Sequence, residues 1–408
     1  MLTPGAEWWP DILEEHLEKL ESLWTRRLRA VRSSEWSGRA LAKLDDRIEV
    51  HTDALELAGE EALPVLVPGD RSDSAPAVAA AALPLARMGG EEAGRLLAEA
   101  FHAAEGEALE GFRIALCQVQ DDHSQSLLET VAVEPSEEHA AVALVVLAFR
   151  RRLSSGGRLG TLIQSRSAGV RRVAWEAVAL LGPRTARGPG AEGLRFDLLA
   201  AFRYGLTDAD PLVRASVRLA AAWTCQGWLL AALRKAADRP SAGDVGALRL
   251  LAILSRSEDV ARMRTVAADA SLGPGRFALL ASLGHVAAVE DLVSAMGSGD
   301  PATAAAAGAA FQRMTGIAAG SGDRVRQFLP EVELPDVALA RNGWAALRRR
   351  VASATRLCRG VDVSRGAPPS ALADLDRESL WELKLRECFE KKWDGGPADL
   401  ERLPQLSV

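Results

Sequence analysis

Five arginines carry the clearest chemical possibility in this sequence: Arg166, Arg171, Arg172, Arg214 and Arg218. A guanidinium presents a planar fork of donors that can grip a carboxylate or a phosphate through two parallel hydrogen bonds. The five lie in a block, Arg150 to Lys235, that holds 15 Lys and Arg against 5 Asp and Glu. The stretch before it, Met1 to Phe149, holds 12 against 28, and the stretch after it is balanced at 22 each. A block of net charge +10 inside a chain of net charge −6 reads as an anion-binding surface or as the counterpart of the acidic N-terminal third. A third outlet is internal: Arg214 is placed to bond Asp208 or Asp210 just ahead of it.

Other reactive side chains do not assemble into a recognisable set. The six histidines, His16, His51, His102, His123, His139 and His285, form no H-E-x-x-H and no pair at helical spacing. Asp121-Asp122-His123 reads as a polar turn that caps the following helix, and Asp46 and His51 as solvated or ion-paired. Cys117, Cys225, Cys358 and Cys388 are scattered without a C-x-x-C, so buried thiols are expected and not zinc or a disulfide framework. Gly188-Pro-Gly-Ala-Glu-Gly193 fits G-x-G-x-x-G in letters, but it lies between two predicted helices and not after a strand, so it reads as a linker. With no G-x-S-x-G, P-loop or Cys/His nucleophile pattern, the expectation is a non-enzyme with no catalytic, cofactor or metal residues.

The arginines must be positioned by helices. In Thr207 to Trp223, Asp208 or Asp210 caps a helix start, Pro211 suits the first turn, and Leu212, Ser216, Leu219, Ala220 and Trp223 recur at three and four residues. Gly169 to Gly182 repeats the pattern 43 residues earlier, with Val170-Arg171 falling on Val213-Arg214 and Ala177 on Ala220. One such helix is too short and too apolar to bury itself, so it needs a second behind it and another pair on either side. The form resembles the first helix of a HEAT repeat. Aromatic residues at only 5% and an apolar fraction dominated by Ala and Leu favour packed helices over sheets. Trp175, Trp223 and Trp228 read as core packing.

Taken in order, Ile12 to Arg32 and the stripe Leu41, Leu44, Ile48, Leu55, Ala58 predict a helical hairpin cap over residues 1–63. Pro64 to Ser74 is a break. Helix pairs then follow over 75–316 as an irregular all-α solenoid, with first helices at Asp244 to Leu254, Gly275 to Leu283 and Pro301 to Met314. Residues 317–408 read as a helical C-terminal region: a loop from Ser321 to Pro335, a helix from Asp336 to Cys358, a break from Gly360 to Ser370, a last helix from Asp374 to Trp393 and a short Gly-Pro tail. No export signal is visible, and the longest apolar stretch, Ala140 to Phe149, is about half of what spans a bilayer as a helix. A cytoplasmic location is the expectation.

Leu23-Trp24-x-x-Arg27, Leu44-Asp45-Asp46-Arg47-Ile48-Glu49-Val50-His51, Phe311-x-x-Met314-Thr315-Gly316, Thr355-Arg356-Leu357-Cys358-Arg359-Gly360 and Leu380-Trp381-Glu382-Leu383-Lys384-Leu385-Arg386 occur in that order. Together they resemble the landmarks of an uncharacterised bacterial family of HEAT-repeat proteins of about 400 residues. The resemblance implies no catalytic residues. It does imply a setting, because members are often encoded among type VI secretion genes, beside proteins that load effectors onto the spike. After the aspartate-arginine landmark this chain reads His51-Thr-Asp-Ala-Leu55 where relatives tend to read His-Leu-Asp-Gly-Leu. The expected function is a scaffold or adaptor for a protein partner, a secretion component or an effector. The alternative is a nucleic-acid binder that uses the block 150–235. HEAT-type di-iron hydroxylases are excluded, since the chain has no His-Glu dipeptide.

Overall fold

Short polar side chains mark where the helices begin. The computed structural model describes residues 9–31, 33–67, 73–153, 156–185, 197–325 and 332–403. In it Ser37, Asp121, Ser136, Asp197, Asp210, Asp300, Asp336 and Asp376 each accept a backbone N–H from the turn they precede. Each such bond satisfies a donor that the helix cannot pair by itself and stabilises it by about 1 kcal/mol. Helices dominate the described residues, with only two short antiparallel hairpins beside them. No described helix is long and apolar enough to cross a membrane. Gly188 to Gly193 lies outside the described residues.

The chain divides into two units, Met1–Thr224 with Asp394–Val408, and Cys225–Trp393. In the first, α1 (Trp9–Ala30) and α2 (Gly38–Ala58) form an antiparallel pair, and both pack on α3 (Ala75–Met88). Then come α4 (Glu91–Ala103), α5 (Gly106–Cys117), α6 (Asp122–Val131), α7 (Glu137–Phe149), α8 (Gly157–Leu162), α9 (Ala168–Thr185), α10 (Leu198–Gly205) and α11 (Pro211–Trp223). Alternate helices pack on one another, α3 on α5, α5 on α7, α7 on α9 and α9 on α11, while α4 packs on α6 behind them. The apolar run Ala140 to Phe149 is buried at every position, as expected of a helix that is apolar all round. Helix α9 turns sharply at Gly182, whose φ of 63° is open to glycine, just before Pro183.

On α11 the buried face is Val213, Val217, Ala220, Ala221 and Trp223, while Leu212 is 56% exposed. The stripe expected from Leu212, Ser216 and Leu219 is therefore displaced by about one residue, toward the β-branched side chains. The Gly-Pro tail is not free either. Leu403 N–H donates to Gln118 Oε1 at 2.8 Å, Arg402 to the Phe149 carbonyl at 3.2 Å, and Arg27 to the Glu401 carbonyl at 2.9 Å. It straps α1, α5 and α7 together.

The second unit runs α12 (Leu229–Ala237), α13 (Val245–Leu254), α14 (Val260–Ala268), α15 (Arg276–Leu283), α16 (Val289–Met296) and α17 (Pro301–Thr315). Here α13 packs on α15 and α15 on α17, with α12 against α14. Two expectations fail beyond α17. The segment read as a loop holds a hairpin, β1 (Gly320–Val325) with β2 (Val332–Pro335), paired antiparallel. The helix expected to reach Cys358 is α18 (Val337–Arg350) and stops there. A second hairpin follows, β3 (Leu357–Cys358) with β4 (Val361–Asp362), closed by Arg359 and Gly360 at φ 49° and 77°. Two positive φ values make the tight turn whose twist matches the strands. Helix α19 (Arg377–Phe389) packs on α13 and buries Glu382 and Arg386 along with Leu383, Leu385 and Cys388.

Candidate functional site

The site expected from sequence lies at one edge of the first unit, where the turns ahead of α9 and α11 meet. Arg171 forks onto the Asp208 carboxylate, Nε to Oδ2 at 2.7 Å and Nη2 to Oδ1 at 2.9 Å, which ties the two turns together across 37 residues. The Arg171 guanidinium holds the Asp208 carboxyl below the usual carboxylate range. Arg171 Nη1 also donates to the carbonyls of Ser165 and Arg166, at 2.8 and 3.1 Å. Arg214 Nη1 repeats the motif on its own turn, donating to the carbonyls of Asp208 and Ala209 at 2.6 and 3.0 Å. Both arginines reach back six and five residues, so the 43-residue repeat holds bond for bond at this place. The carboxylate of Asp208 is taken by Arg171 of the preceding repeat and not by Arg214.

The other members of the row are placed differently. Arg218 is half-buried on α11, while Arg166 and Arg172 are exposed. Beside them stand side chains the sequence reading passed over. Arg203 and Tyr204 are exposed at the end of α10, Tyr204 at 57%, and Leu212 is exposed at the start of α11. Tyr204 is the single tyrosine of the chain, which is a usable signal, whereas Leu212 stands in the predicted apolar stripe. Gly205 brings α10 in close, since a Cβ there would lie 2.7 Å from Val217 Cγ2 and 2.9 Å from Trp175 Cζ2. Trp175 and Trp223 are fully buried. The edge thus presents guanidinium, phenol and isobutyl groups on a turn pair locked from below.

Much of the remaining basic block is engaged within the fold. Arg150 is buried, bonds the Leu116 carbonyl through Nε and Nη2 and Ser124 Oγ through Nη1, and is pushed down to about 10 by burial. Arg151 pairs with Asp399, Arg152 with Asp122, and Arg158 donates to the Glu134 carbonyl. Several of these partners come from the acidic N-terminal third.

A second concentration of charge lies inside the second unit. Glu382, buried on α19, accepts from Arg249 Nε at 2.9 Å, Arg313 Nη2 at 2.7 Å and Ser282 Oγ at 2.8 Å. Arg386 donates to the carbonyls of Ile253 and Ser282 at 2.6 and 2.9 Å, and Arg356 to those of Leu283 and Ser255. These carbonyls sit at the C-terminal ends of α13 and α15, where a helix leaves acceptors unpaired and a cation is favoured. Burial lowers Arg386 and pushes Arg356 down to about 9. The space beside them is about 20 Å³, room for one water and not for a substrate. This centre is a lock for helix ends.

Two pairings cross long sequence gaps. His51 Nδ1 lies 3.0 Å from His16 Nδ1, and Cys225 Sγ lies 3.8 Å from Cys388 Sγ, all four cysteines being free thiols. Among the described residues no group of three or more His, Cys, Asp or Glu side chains is placed to hold a metal ion. A cavity of about 220 Å³ lies between Leu180, Pro183, Arg151 and Gly396, with Arg151 already committed to Asp399. Asp121 caps α6 through Ser124 N at 2.7 Å. Comparison of the sequence with protein-family models gives no match, and comparison with curated proteins gives none.

Proposed function

We propose that this protein is a non-enzymatic scaffold or adaptor, built of HEAT-like helix pairs, that binds a protein partner and assists type VI secretion at effector or spike loading. The observation that carries the binding part is the edge of α9, α10 and α11. There Arg171 and Arg214 are used to fix the turns, while Arg166, Arg172, Arg203, Tyr204 and Leu212 are left exposed on them. Arg and Tyr on a rigid base are the residue types that dominate binding energy at protein interfaces. The HEAT-like reading rests on the repeated arginine bonds and on alternate helices packing in sequence. The secretion part rests on the family resemblance alone. The test is affinity purification of the tagged chain from its native host. Recovery of a secretion component or effector, lost when Arg172, Arg203 and Tyr204 are changed to alanine together, supports the reading. Recovery of none removes the secretion part.

The nucleic-acid reading keeps one observation in its favour, that Arg166, Arg172 and Arg203 are exposed. Against it stand the block's internal pairings and the acidic residues 1–149, which repel a polyanion. A salt titration of DNA binding decides: phosphate contacts lose affinity steeply with salt and weaken when the three arginines become glutamine.

A further inference from the structure

We infer that Cys225 and Cys388 form a redox pair: a small hydroperoxide joins them in a reversible disulfide that ties the start of the second unit to α19. Cys225 is the first residue of that unit and lies in the turn ahead of α12, while Cys388 lies in the closing turn of α19, 163 residues further on. Both are buried thiols, and their sulfurs are 3.8 Å apart. Cys225 Sγ also donates to the Cys388 carbonyl at 3.2 Å, which aims the thiol at that residue. A disulfide requires about 2.0 Å between the sulfurs, so side-chain rotation with a small backbone shift completes the approach. The backbone is already irregular at both places. Cys225 itself has φ 53°, a left-handed conformation that residues other than glycine rarely adopt, and Lys391, three residues beyond Cys388, has φ 62°. Ordinary packing of two thiols calls for no such conformation at Cys225. Cys358, the third cysteine of the unit, is hydrogen-bonded to Ser379.

Accessibility orders the reaction. Cys225 keeps 6% of its surface exposed and Cys388 0%, so the oxidant meets Cys225 first and must be of few atoms. Hydrogen peroxide is the simplest member of the class. The Cys225 sulfur attacks one peroxide oxygen, the O–O bond breaks, and the thiol proton leaves with the departing hydroxide as water, giving the sulfenic acid. Cys388 then attacks the Cys225 sulfur, the S–O bond breaks, and hydroxide leaves with the Cys388 proton as a second water. Two thiols and one peroxide become one disulfide and two waters, each sulfur losing one electron to the peroxide oxygens. Cys388 follows Arg386 by two residues, and Arg386 fixes α19 to the ends of α13 and α15 through the Ile253 and Ser282 carbonyls. The disulfide adds a covalent hold to that docking and restrains a long loop of the unfolded chain.

The test treats the full chain with hydrogen peroxide and counts its thiols after denaturation. The wild type should fall from four thiols to two with a mass loss of about 2 Da, and dithiothreitol should restore all four. Peptide mapping should place the bridge between Cys225 and Cys388. Hydrogen exchange at the amides of α19 should slow in the oxidised chain. In Cys388→Ser the reaction should stop at its first step, so that dimedone, which traps sulfenic acids, labels Cys225; in Cys225→Ser it should label neither position. The wild-type measurements stand whether or not either variant folds. Four thiols surviving in the wild type overturn the inference, as does a bridge that includes Cys117 or Cys358. Oxidation that dithiothreitol does not reverse, a bridge that forms only in urea, or α19 exchange that the bridge leaves unchanged overturns it equally.

Discussion

Glu382 is the residue on which the second unit is most exposed to damage. Its carboxylate answers Arg249, Arg313 and Ser282 at once, and without it the two arginines would be left with Glu378. Removing one partner from a buried charged set costs about 3–5 kcal/mol, so Glu382→Ala should lower the unfolding free energy by that amount in a urea titration. The His16–His51 contact gives a pH dependence. Burial, followed by the charges of His16, Lys19 and Arg47, holds the His51 imidazole below its usual range, and a 3.0 Å Nδ1 to Nδ1 contact needs one nitrogen unprotonated. The unfolded chain then takes up a proton near pH 6.5 that the fold takes up only at lower pH. This contribution is complete above about pH 6.5 and is lost as pH falls through the window below it. His285 is lowered in the same direction, first by burial, whereas His102 is raised, first by the Ala98 carbonyl. The decisive measurement is therefore a difference: Tm from about pH 7.5 to 5 should fall less steeply in His51→Gln than in the wild type.

At the scale of elements, the closeness of α3 and α5 depends on a missing side chain. A Cβ on Gly111 would lie 2.6 Å from Val78 Cβ and 2.7 Å from the Ala75 carbonyl oxygen, and the second of these is backbone that cannot swing aside. Gly111→Ala should destabilise by about 1–3 kcal/mol, because the two helices must separate. Gly169→Ala is the matched control. Its new methyl would meet only Ser167 Oγ, at 3.6 Å, and the change should stay within about 0.5 kcal/mol. Equal losses for the two variants in thermal unfolding would mean that helix spacing is not what Gly111 protects.

Across the whole molecule, the chain end has a structural task. Residues from Asp394 onward belong to the first unit, where Asp399 pairs with Arg151 and the Glu401 carbonyl accepts from Arg27, itself buried against Asp45. A chain ending at Trp393 leaves Arg27 and Gln118 short of a partner. Hydrogen exchange should then quicken at the amides of α1, α5 and α7 while those of α13 and α15 keep their protection. Faster exchange everywhere, or nowhere, would contradict a strap confined to the first unit.

What the sequence determined by itself was local and periodic. Three-and-four spacing, Ser and Asp caps and the 43-residue echo of Val170-Arg171 in Val213-Arg214 located most helices, because a helix repeats every 3.6 residues and writes its start in a single polar side chain. Where that code is silent the reading failed. Strand β1 is exposed along Gly320 to Arg324, so no apolar alternation announces it, and the β3–β4 turn uses Arg359-Gly360 in place of the more telling Asn-Gly. Only the tertiary structure decided which arginines were free. Arg171 and Arg172 are neighbours of identical chemistry, yet packing of α9 on α11 turns one onto Asp208 and leaves the other exposed. Likewise Leu212 and Val213 are adjacent apolar residues, and the helix beneath chose Val213. Such choices depend on partners far along the chain, 37 residues for Arg171 and Asp208, which spacing along the chain does not encode.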